Sequence, residues 1–215
     1  MGGYMNTRIR AILVSATLTL MLALSATAVP AAHAGLLSIL PGSCGSQSAS
    51  QPFARWADSR YYALMPGGSF EAGSPGWLLW RGAKVSPGNE SFYVNSPTDS
   101  QSLALPTGSS ATSPPACTSI HHPTMRFFLR NTGSASSRLK VEALYPGLLG
   151  GVQVARIGVL TGSAAWKPSP VVSVQLSNLL ATLSLDRTTI AFRFTPLDGS
   201  GAWSIDDVYL DPRMR

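Results

Sequence analysis

The sequence has few of the residues that usually carry chemistry. Among its 215 residues are two cysteines and three histidines, and charged residues make up 12% of the chain. It contains no HExxH zinc motif, no GxSxG nucleophile elbow, no Walker phosphate loop and no GxGxxG opening a helix. The adjacent His121 and His122 would point opposite ways in an extended segment, so they cannot share one metal face. These absences argue against the common metalloprotease, serine hydrolase and nucleotide-binding classes.

Clustered charge of one sign is also missing. The chain carries 16 Lys and Arg against 10 Asp and Glu, which gives a formal net charge of +6. The basic residues are spread out, and no RNA- or DNA-binding motif is present. This distribution predicts no nucleic-acid partner. It favours solubility, with a slight preference for anionic surfaces.

The first 34 residues have the pattern of a secretory signal peptide. A short positive start, MNTRIR, precedes the uncharged run AILVSATLTLMLALSATAVP, and small residues stand at Ala32 and Ala34. We therefore expect cleavage after Ala34, a secreted extracellular protein, and no membrane span in the mature chain. Two alternatives stay open, an uncleaved apolar anchor and lipid attachment at Cys44. The signal peptide type and the usage of Ala, Gly and Arg suggest a bacterial source.

The two cysteines, Cys44 and Cys117, predict one disulfide. An even count in an exported chain favours pairing, and the CxxC spacing of a redox or zinc site is absent. Closing a loop of about seventy residues would stabilise the fold by roughly 4 kcal/mol on the loop-entropy model. The alternative is two free thiols.

From residue 67 onward the sequence has the pattern of an all-β protein. Short segments rich in Val, Ile, Phe, Tyr and Thr alternate with clusters of Gly, Pro, Ser, Asn and Asp. In TMRFFLR the apolar residues Met125, Phe127 and Leu129 share one face. The pattern predicts three parts: a signal peptide at 1–34, an N-terminal lead-in at 35–66 and an antiparallel β-sandwich at 67–215.

Two motifs at opposite ends of this domain resemble one known family. The early motif, FE-x-G…GW, comprises Phe70, Glu71, Gly73, Gly76 and Trp77. The late motif, W-x-IDDV-x-L, comprises Trp203, Ile205, Asp206, Asp207, Val208 and Leu210. Together they resemble the galactose-binding-like jelly roll, in particular its secreted carbohydrate-binding modules. The resemblance covers residues 67–212 and implies a jelly-roll sandwich.

The resemblance also implies a structural calcium ion. In such modules the first and last strands lie together and their acids hold the ion. Glu71 and Asp206 are therefore the implied side-chain ligands, completed by backbone carbonyls of the turns. Because Val208 and Leu210 are expected to face the core, Asp206 is expected to point the same way, and Asp207 to face solvent. The alternative is that Glu71 and Asp206 pair with Arg side chains or loop amides.

Carbohydrate-binding modules present aromatic rings on which sugars stack, beside polar groups that bind hydroxyls. The candidate aromatic residues here are Trp80, Tyr93, Tyr145 and Trp166, each with the alternative of a place in the core.

Charged candidates lie on the polar faces of predicted central strands. They are Arg126 and Arg193, with Lys140 and Glu142 nearby in the pattern. If their strands are neighbours, they form a basic stripe that would contact an anionic glycan or cell-wall polymer. The alternative is a solvated sheet face whose charges pair with one another.

These observations predict a secreted, non-catalytic β-sandwich that binds a polysaccharide or cell-envelope glycan. The alternative is an extracellular protein-interaction or structural sandwich with no small ligand. A glycan hydrolase is the third reading, since a glycosidase needs two carboxylates. Glu71 and Asp206 are the one pair that stands out for it.

Overall fold

The computed structural model describes residues 47–119, 123–147, 151–174, 187–198 and 200–211. These residues all belong to one compact unit, His33–Arg215. They form a short 3-10 helix, Ala54–Trp56, and fourteen strands. The strands are β1 Ala49–Ser50, β2 Tyr62–Leu64, β3 Leu78–Trp80, β4 Lys84–Pro87, β5 Gln101–Leu105, β6 Ser110–Thr112, β7 Ala116–Ser119, β8 Thr124–Asn131, β9 Arg138–Pro146, β10 Val152–Leu160, β11 Lys167–Pro168, β12 Val172–Ser173, β13 Arg187–Leu197 and β14 Trp203–Asp211.

The first of two sheets, sheet A, is centred on the last strand. β14 pairs on one side with β8, and on the other side with β5 and β2. β8 pairs further with β11 and β12, β5 with β4, and β2 with β1. All of these pairings are antiparallel.

Sheet B has the strand order β10, β9, β13, β6, β3, and β7 pairs with the first part of β13. Its pairings are antiparallel as well. The two sheets pack face to face around one core, which makes the described part of the chain an all-β sandwich. The fold class predicted from the sequence is confirmed.

The main core lies between the two sheets. Met125, Phe127 and Leu129 of β8 point inward and join Phe192 and Phe194 of β13 in one buried cluster. The rings of Phe127 and Phe194 meet edge to face, with centroids 5.2 Å apart. Full burial of such a side chain contributes about 1.5–3 kcal/mol. The alternation seen in TMRFFLR therefore places the predicted residues in the core.

A second apolar cluster covers part of the outer face of sheet A. Phe128 of β8 and Tyr209 of β14 point away from the main core and pack against Phe53 and Tyr62. Phe53 stacks on Phe128 with ring centroids 5.5 Å apart. Phe53 lies in the segment predicted as a lead-in, and β1 and β2 of that segment pair into sheet A. The described part of the lead-in is thus an integral part of the sandwich.

A β-bulge in β14 changes the direction of its acids. The register with β8 shifts between Asp206 and Tyr209, and Asp207 has a φ of 45° in the left-handed region. Ile205 and Val208 therefore both face the main core, while Asp206 pairs with an outward residue of β8. The expectation that Asp206 points inward with Val208 is wrong. Asp207 is fully buried, so the expectation that it faces solvent is also wrong.

Several predicted features lie outside the described residues. They are the signal peptide, Cys44, His121 and His122. Cys117 is half-buried on β7 and is not a free thiol, and its pairing with Cys44 stays a prediction. Within the described ranges, no helix has the length and apolar character needed to cross a bilayer.

Candidate functional site

The four predicted aromatic ligand residues lie in different places. Trp80, on β3, is 63% exposed, and Tyr93, in the loop between β4 and β5, is 51% exposed. Tyr145 is buried in the main core, which is the alternative that the sequence left open. Trp166 is half-buried at the edge of sheet A, with the guanidinium carbon of Arg130 4.8 Å from its ring centroid. Trp80 and Tyr93 offer the most ring surface to a ligand.

Arg126 and Arg193 belong to different sheets, because β8 is in sheet A and β13 is in sheet B. The condition for a single basic stripe, that their strands are neighbours, is therefore not met. Arg126 is buried, and its Nη1 donates to Asp58 Oδ2 at 2.9 Å. Its Nε and Nη2 donate to the carbonyl oxygen of Ser169 at 3.0 and 2.8 Å. The guanidinium carbon also lies 4.4 Å from the ring centroid of Phe53, so Arg126 is enclosed by the fold.

Asp58 is the acid that makes this burial of Arg126 possible. Burial acts to raise the pKa of Asp58, but hydrogen bonds from Arg60, Tyr62 and Arg126 outweigh it and lower the pKa to about 2. Asp58 therefore stays ionised at neutral pH. The N-terminal segment supplies both Asp58 and the apolar cover of Phe53.

The outer face of sheet B carries two rows of side chains that run across five strands. Cross-strand partners share a face of the sheet. The first row contains Leu78, Thr112, Arg193, Glu142 and Arg156. The second row contains Trp80, Ser110, Thr195, Lys140 and Val159, where Ser110 is placed beside Thr195 by continuing the register of the pairs Arg193–Thr112 and Phe194–Ala111. We call these ten residues the sheet B face.

Charged side chains in the middle of the sheet B face hold one another in place. Arg193 Nε donates to Glu142 Oε2 at 2.8 Å, and Lys140 Nζ lies 2.9 Å from Glu142 Oε1. Burial acts to raise the pKa of Glu142, but hydrogen bonds from Arg193 and Lys140 outweigh it and lower the pKa. The side chain of Arg193 stays 30% exposed. Both cations are thus oriented while their other N–H groups can donate to a ligand.

The edge of the sheet B face is apolar. β3 pairs only with β6 in the described residues, and Leu78 and Trp80 stand on its outward side, both exposed. A ligand lying across the sheet would meet aromatic and aliphatic surface at this edge and charged hydrogen-bond donors at the centre. Three strand spacings of about 4.8 Å separate Trp80 from the strand of Lys140, or roughly 14 Å.

Buried carboxylates lie on the other sheet, close to the loop between β4 and β5. Glu90, Asp206 and Asp207 are fully buried and Asp99 is buried; we call these four residues the acid cluster. Asp206 Oδ2 accepts from the Glu90 amide at 2.9 Å, and Asp207 Oδ2 from the Asn95 amide at 3.2 Å. Asp207 Oδ1 is buried without a hydrogen-bond partner among the described residues.

Three members of the acid cluster, Asp206, Asp207 and Glu90, have pKa values raised above those of free carboxylates. Burial raises the pKa of Asp206 to about 9, and the charge of Asp207 adds to the effect. Burial also raises the pKa of Asp207 to about 7, helped by the charges of Glu90 and Asp99. The pKa of Glu90 is raised by burial as well. Uncompensated negative charge at this place would favour either bound protons or a cation.

The predicted calcium ligands Glu71 and Asp206 are both hydrogen-bonded to loop amides. Glu71 Oε1 accepts from the amides of Ser100 and Gln101 at 2.9 and 2.7 Å. Each carboxylate oxygen of Asp206 accepts from one backbone amide. Pairing with loop amides is the alternative that the sequence left open. In the part of the chain that the structure describes, no three His, Cys, Asp or Glu side chains are grouped so that they could hold a metal ion.

Sequence reasoning missed several residues of these two regions, among them Leu78, Arg156 and Glu90. Leu78 stands two positions before Trp80 in WLLW, so its place on the same face could have been found from the alternation. Arg156 could not, because a register shift between Arg156 and Gly158 interrupts the alternation of β10. Glu90 lies in a loop segment, GNESF, that carries no periodic signal.

No protein-family model and no curated protein matches the sequence. Among solved structures, the chain is similar to the CBM22-1 xylan-binding domain from Paenibacillus barcinonensis Xyn10C. The identity is 15% and the TM-score 0.47, over 67% of this chain and 90% of that one. It is also similar to the CBM22-1-GH10 modules of Clostridium thermocellum xylanase 10B. There the identity is 12% and the TM-score 0.48, over 66% and 27% of the two chains.

A third similar structure is the enzymatically active domain of bacteriophage CBA120 tailspike protein 4. The identity is 17% and the TM-score 0.44, over 68% of this chain and 21% of that one. The solved structures that are similar to the chain thus include carbohydrate-binding modules, the group that the two sequence motifs resemble.

Proposed function

We propose that the chain is a secreted, non-catalytic module that binds a carbohydrate on the sheet B face. The observation that carries the proposal is the in-register arrangement of this face. Exposed Trp80 and Leu78 stand at its edge, and the fixed charges of Arg193, Glu142 and Lys140 stand at its centre. This combination suits a glycan, which has apolar ring faces and many hydroxyl groups.

Each part of the sheet B face has a separate role in the proposal. The ring of Trp80 stacks on the apolar face of one sugar residue. The free N–H groups of Arg193 and Lys140 donate to sugar hydroxyls further along the chain. Glu142 keeps both cations oriented, so little side-chain freedom is lost when the ligand binds.

The arrangement of carboxylates near the proposed ligand supports a non-catalytic role. Glu142 is the one carboxylate among the ten residues of the sheet B face, and both of its oxygens contact cations. A glycosidase needs two carboxylates that flank the scissile bond. Asp206 and Asp207 lie close together, but both are fully buried.

Export and a structural disulfide belong to the same proposal. The signal-peptide pattern of residues 1–34 supports secretion, and an oxidising compartment would favour the pairing of Cys44 with Cys117. Cell-envelope glycans and extracellular polysaccharides are the carbohydrates that a protein in this location would meet.

Calcium is a separate proposal. The excess of buried carboxylates in the acid cluster and the unpartnered Asp207 Oδ1 support a cation near β14. The arrangement of the described side chains does not by itself supply three converging ligands, so backbone carbonyls would have to complete the site. We expect a chelator to lower the melting temperature of the calcium-loaded protein. An unchanged melt would remove Glu71 and Asp206 as ligands.

Carbohydrate binding is tested by co-sedimentation with insoluble polysaccharides and purified cell walls at two salt concentrations. We expect Trp80→Ala to weaken retention at least about ten-fold, which corresponds to about 1.4 kcal/mol. Tyr61→Ala is the matched control, because Tyr61 is equally exposed but lies outside the sheet B face. It should leave retention unchanged.

Two results would contradict this proposal. The first is no retention on any polysaccharide or cell wall. The chain would then be a protein-interaction sandwich, and the exposed apolar edge of β3 would be the surface that contacts its partner. Retention that survives Trp80→Ala and Arg193→Met would place the glycan elsewhere. Salt-resistant retention would point to stacking on Trp80, and salt-sensitive retention to the arginine and lysine contacts.

A further inference from the structure

Two arginines on the outer face of sheet A differ in their partners. Arg126 and Arg130 lie on the same strand, β8, and point the same way because both stand at outward positions. Arg126 is bound by Asp58 and by the carbonyl oxygen of Ser169. Arg130 has no hydrogen bond or ion pair to any residue that the structure describes, and its Nε is also shielded from water.

Arg130 is nevertheless held in a defined position. Its guanidinium carbon lies 4.8 Å from the ring centroid of Trp166. Trp166 precedes β11, whose pairing with β8 brings it beside Arg130. On another side is Gly88, where a Cβ atom would come within 3.5 Å of Arg130 Nη2. The stack on Trp166 fixes the plane of the guanidinium group.

No acid among the described residues forms an ion pair with Arg130. The outward row across the sheet continues through Ser204, Ala104 and Lys84. Lys84 is exposed and adds a second positive charge. In the neighbouring acid cluster, the carboxylate oxygens of Glu90 and Asp206 all accept from backbone amides.

We propose that Arg130 and Trp166 form a second binding site, for the carboxylate or phosphate group of an acidic polysaccharide. A guanidinium group offers paired N–H donors in a planar fork that matches these anions. A half-buried cation without a partner carries a desolvation cost, which a bound anion removes. The site lies on the opposite sheet from the sheet B face. This proposal rests on the proposed function in one respect, which is that the anionic group belongs to a glycan.

Isothermal titration calorimetry on the full secreted chain tests this site. The probes are a galacturonate oligomer, a glycerol phosphate oligomer and a neutral galactose oligomer of matched length. Arg130→Met keeps an apolar stem on Trp166 and removes the charge, while Arg130→Lys keeps the charge and removes the fork. Arg55→Met is the control, because it removes another Arg–Trp stack on the same side of the molecule, at 4.5 Å from Trp56.

We expect an anionic oligomer to bind more tightly than the neutral one. Arg130→Met should weaken that binding at least about ten-fold, Arg130→Lys should weaken it less, and Arg55→Met should leave it unchanged. The tighter of the two anionic probes identifies carboxylate or phosphate as the recognised group.

Three outcomes overturn the site. They are no binding of either anionic oligomer, equal binding of the anionic and neutral oligomers, and binding that Arg130→Met and Arg130→Lys leave unchanged. The proposed function is judged separately, because it depends on Trp80. Binding through Arg130 with no retention through Trp80 would support this site and contradict the sheet B face.

Discussion

Arg126 on β8 and Arg193 on β13 both stand at outward positions near the centre of a sheet, yet their surroundings differ. Arg126 is almost fully buried beneath Phe53 and bound to Asp58, whereas the side chain of Arg193 stays 30% exposed. Each arginine has a carboxylate partner within 3 Å. The difference is the N-terminal segment, which packs over the outer face of sheet A.

The comparison shows that charge on the outside of a sheet can serve two purposes. Under a cover, an ion pair must be complete, because each ion has lost its hydration. In the open, the same groups keep donors available for a ligand and contribute little to stability. The covered face of sheet A should therefore dominate stability, and the sheet B face should dominate binding. The predictions below test this division.

The largest difference in stability is expected between two aromatic residues, one on each outer face. Phe128→Ala should lower the free energy of unfolding by about 3–5 kcal/mol, because it leaves a cavity between Phe53 and the sheet. Trp80→Ala should change it by less than about 0.5 kcal/mol, because most of the ring is already in water. Urea denaturation of both variants measures the two values. Similar losses would remove the distinction between the faces.

The second largest difference is expected between the two ion pairs, in the free energy of unfolding that is lost when the carboxylate is removed. Asp58→Ala leaves Arg126 buried without a carboxylate and should cost about 3 kcal/mol. Glu142→Ala leaves Arg193 and Lys140 partly solvated and should cost about 1 kcal/mol. A double-mutant cycle between Asp58 and Arg126 should show strong coupling. A coupling no greater than that of Glu142 with Arg193 would contradict the argument.

Asp58 should also make the free energy of unfolding depend on pH in the acidic range. Its folded pKa is about 2, against 3.8 for an unperturbed Asp. Its contribution is therefore present above about pH 4 and is lost as the pH falls toward 2. The linked loss is about 2 kcal/mol. Unfolding free energies between pH 5 and 2 should fall less steeply in Asp58→Asn than in the parent, and equal slopes would contradict the low pKa.

The acid cluster should have the opposite effect on the pH dependence of stability, destabilising the fold as the pH rises. Because the folded pKa values of Asp206 and Asp207 lie above 3.8, the folded state binds more protons than the unfolded state. Stability should therefore fall as the pH rises from about 4 toward 7 and beyond. A loss of at least about 1 kcal/mol corresponds to roughly 2–4 °C in Tm. Melting curves in chelator measure it, and Asp207→Asn should flatten the profile.

Much of the fold could be predicted because its signals are local. In TMRFFLR the alternation placed Met125, Phe127 and Leu129 correctly, since a strand sends successive side chains to opposite faces. The same alternation placed Arg193 on an outward face. The neighbours of each strand could not be predicted, because pairing joins residues that are far apart in the chain.

The candidate site depended more on such distant contacts. Arg126 and Arg193 have the same local pattern, and Asp58, the partner that buries Arg126, lies 68 positions away from it. The direction of Asp206 was mispredicted because one bulge at Asp207 reversed the alternation after it. Neither a long-range ion pair nor a single inserted residue leaves a periodic trace in the sequence.

The sequence by itself determined that the described chain forms short antiparallel strands with one apolar face each, because that choice follows from residue period and turn composition. Only the tertiary structure decided which outward face is covered and which stays open. The cover consists of Phe53, Asp58 and Tyr62, whose effect exists only once β2 pairs with β14. Burial is a property of the assembled sheets, and it converts one of two similar arginines into a structural residue while leaving the other available to a ligand.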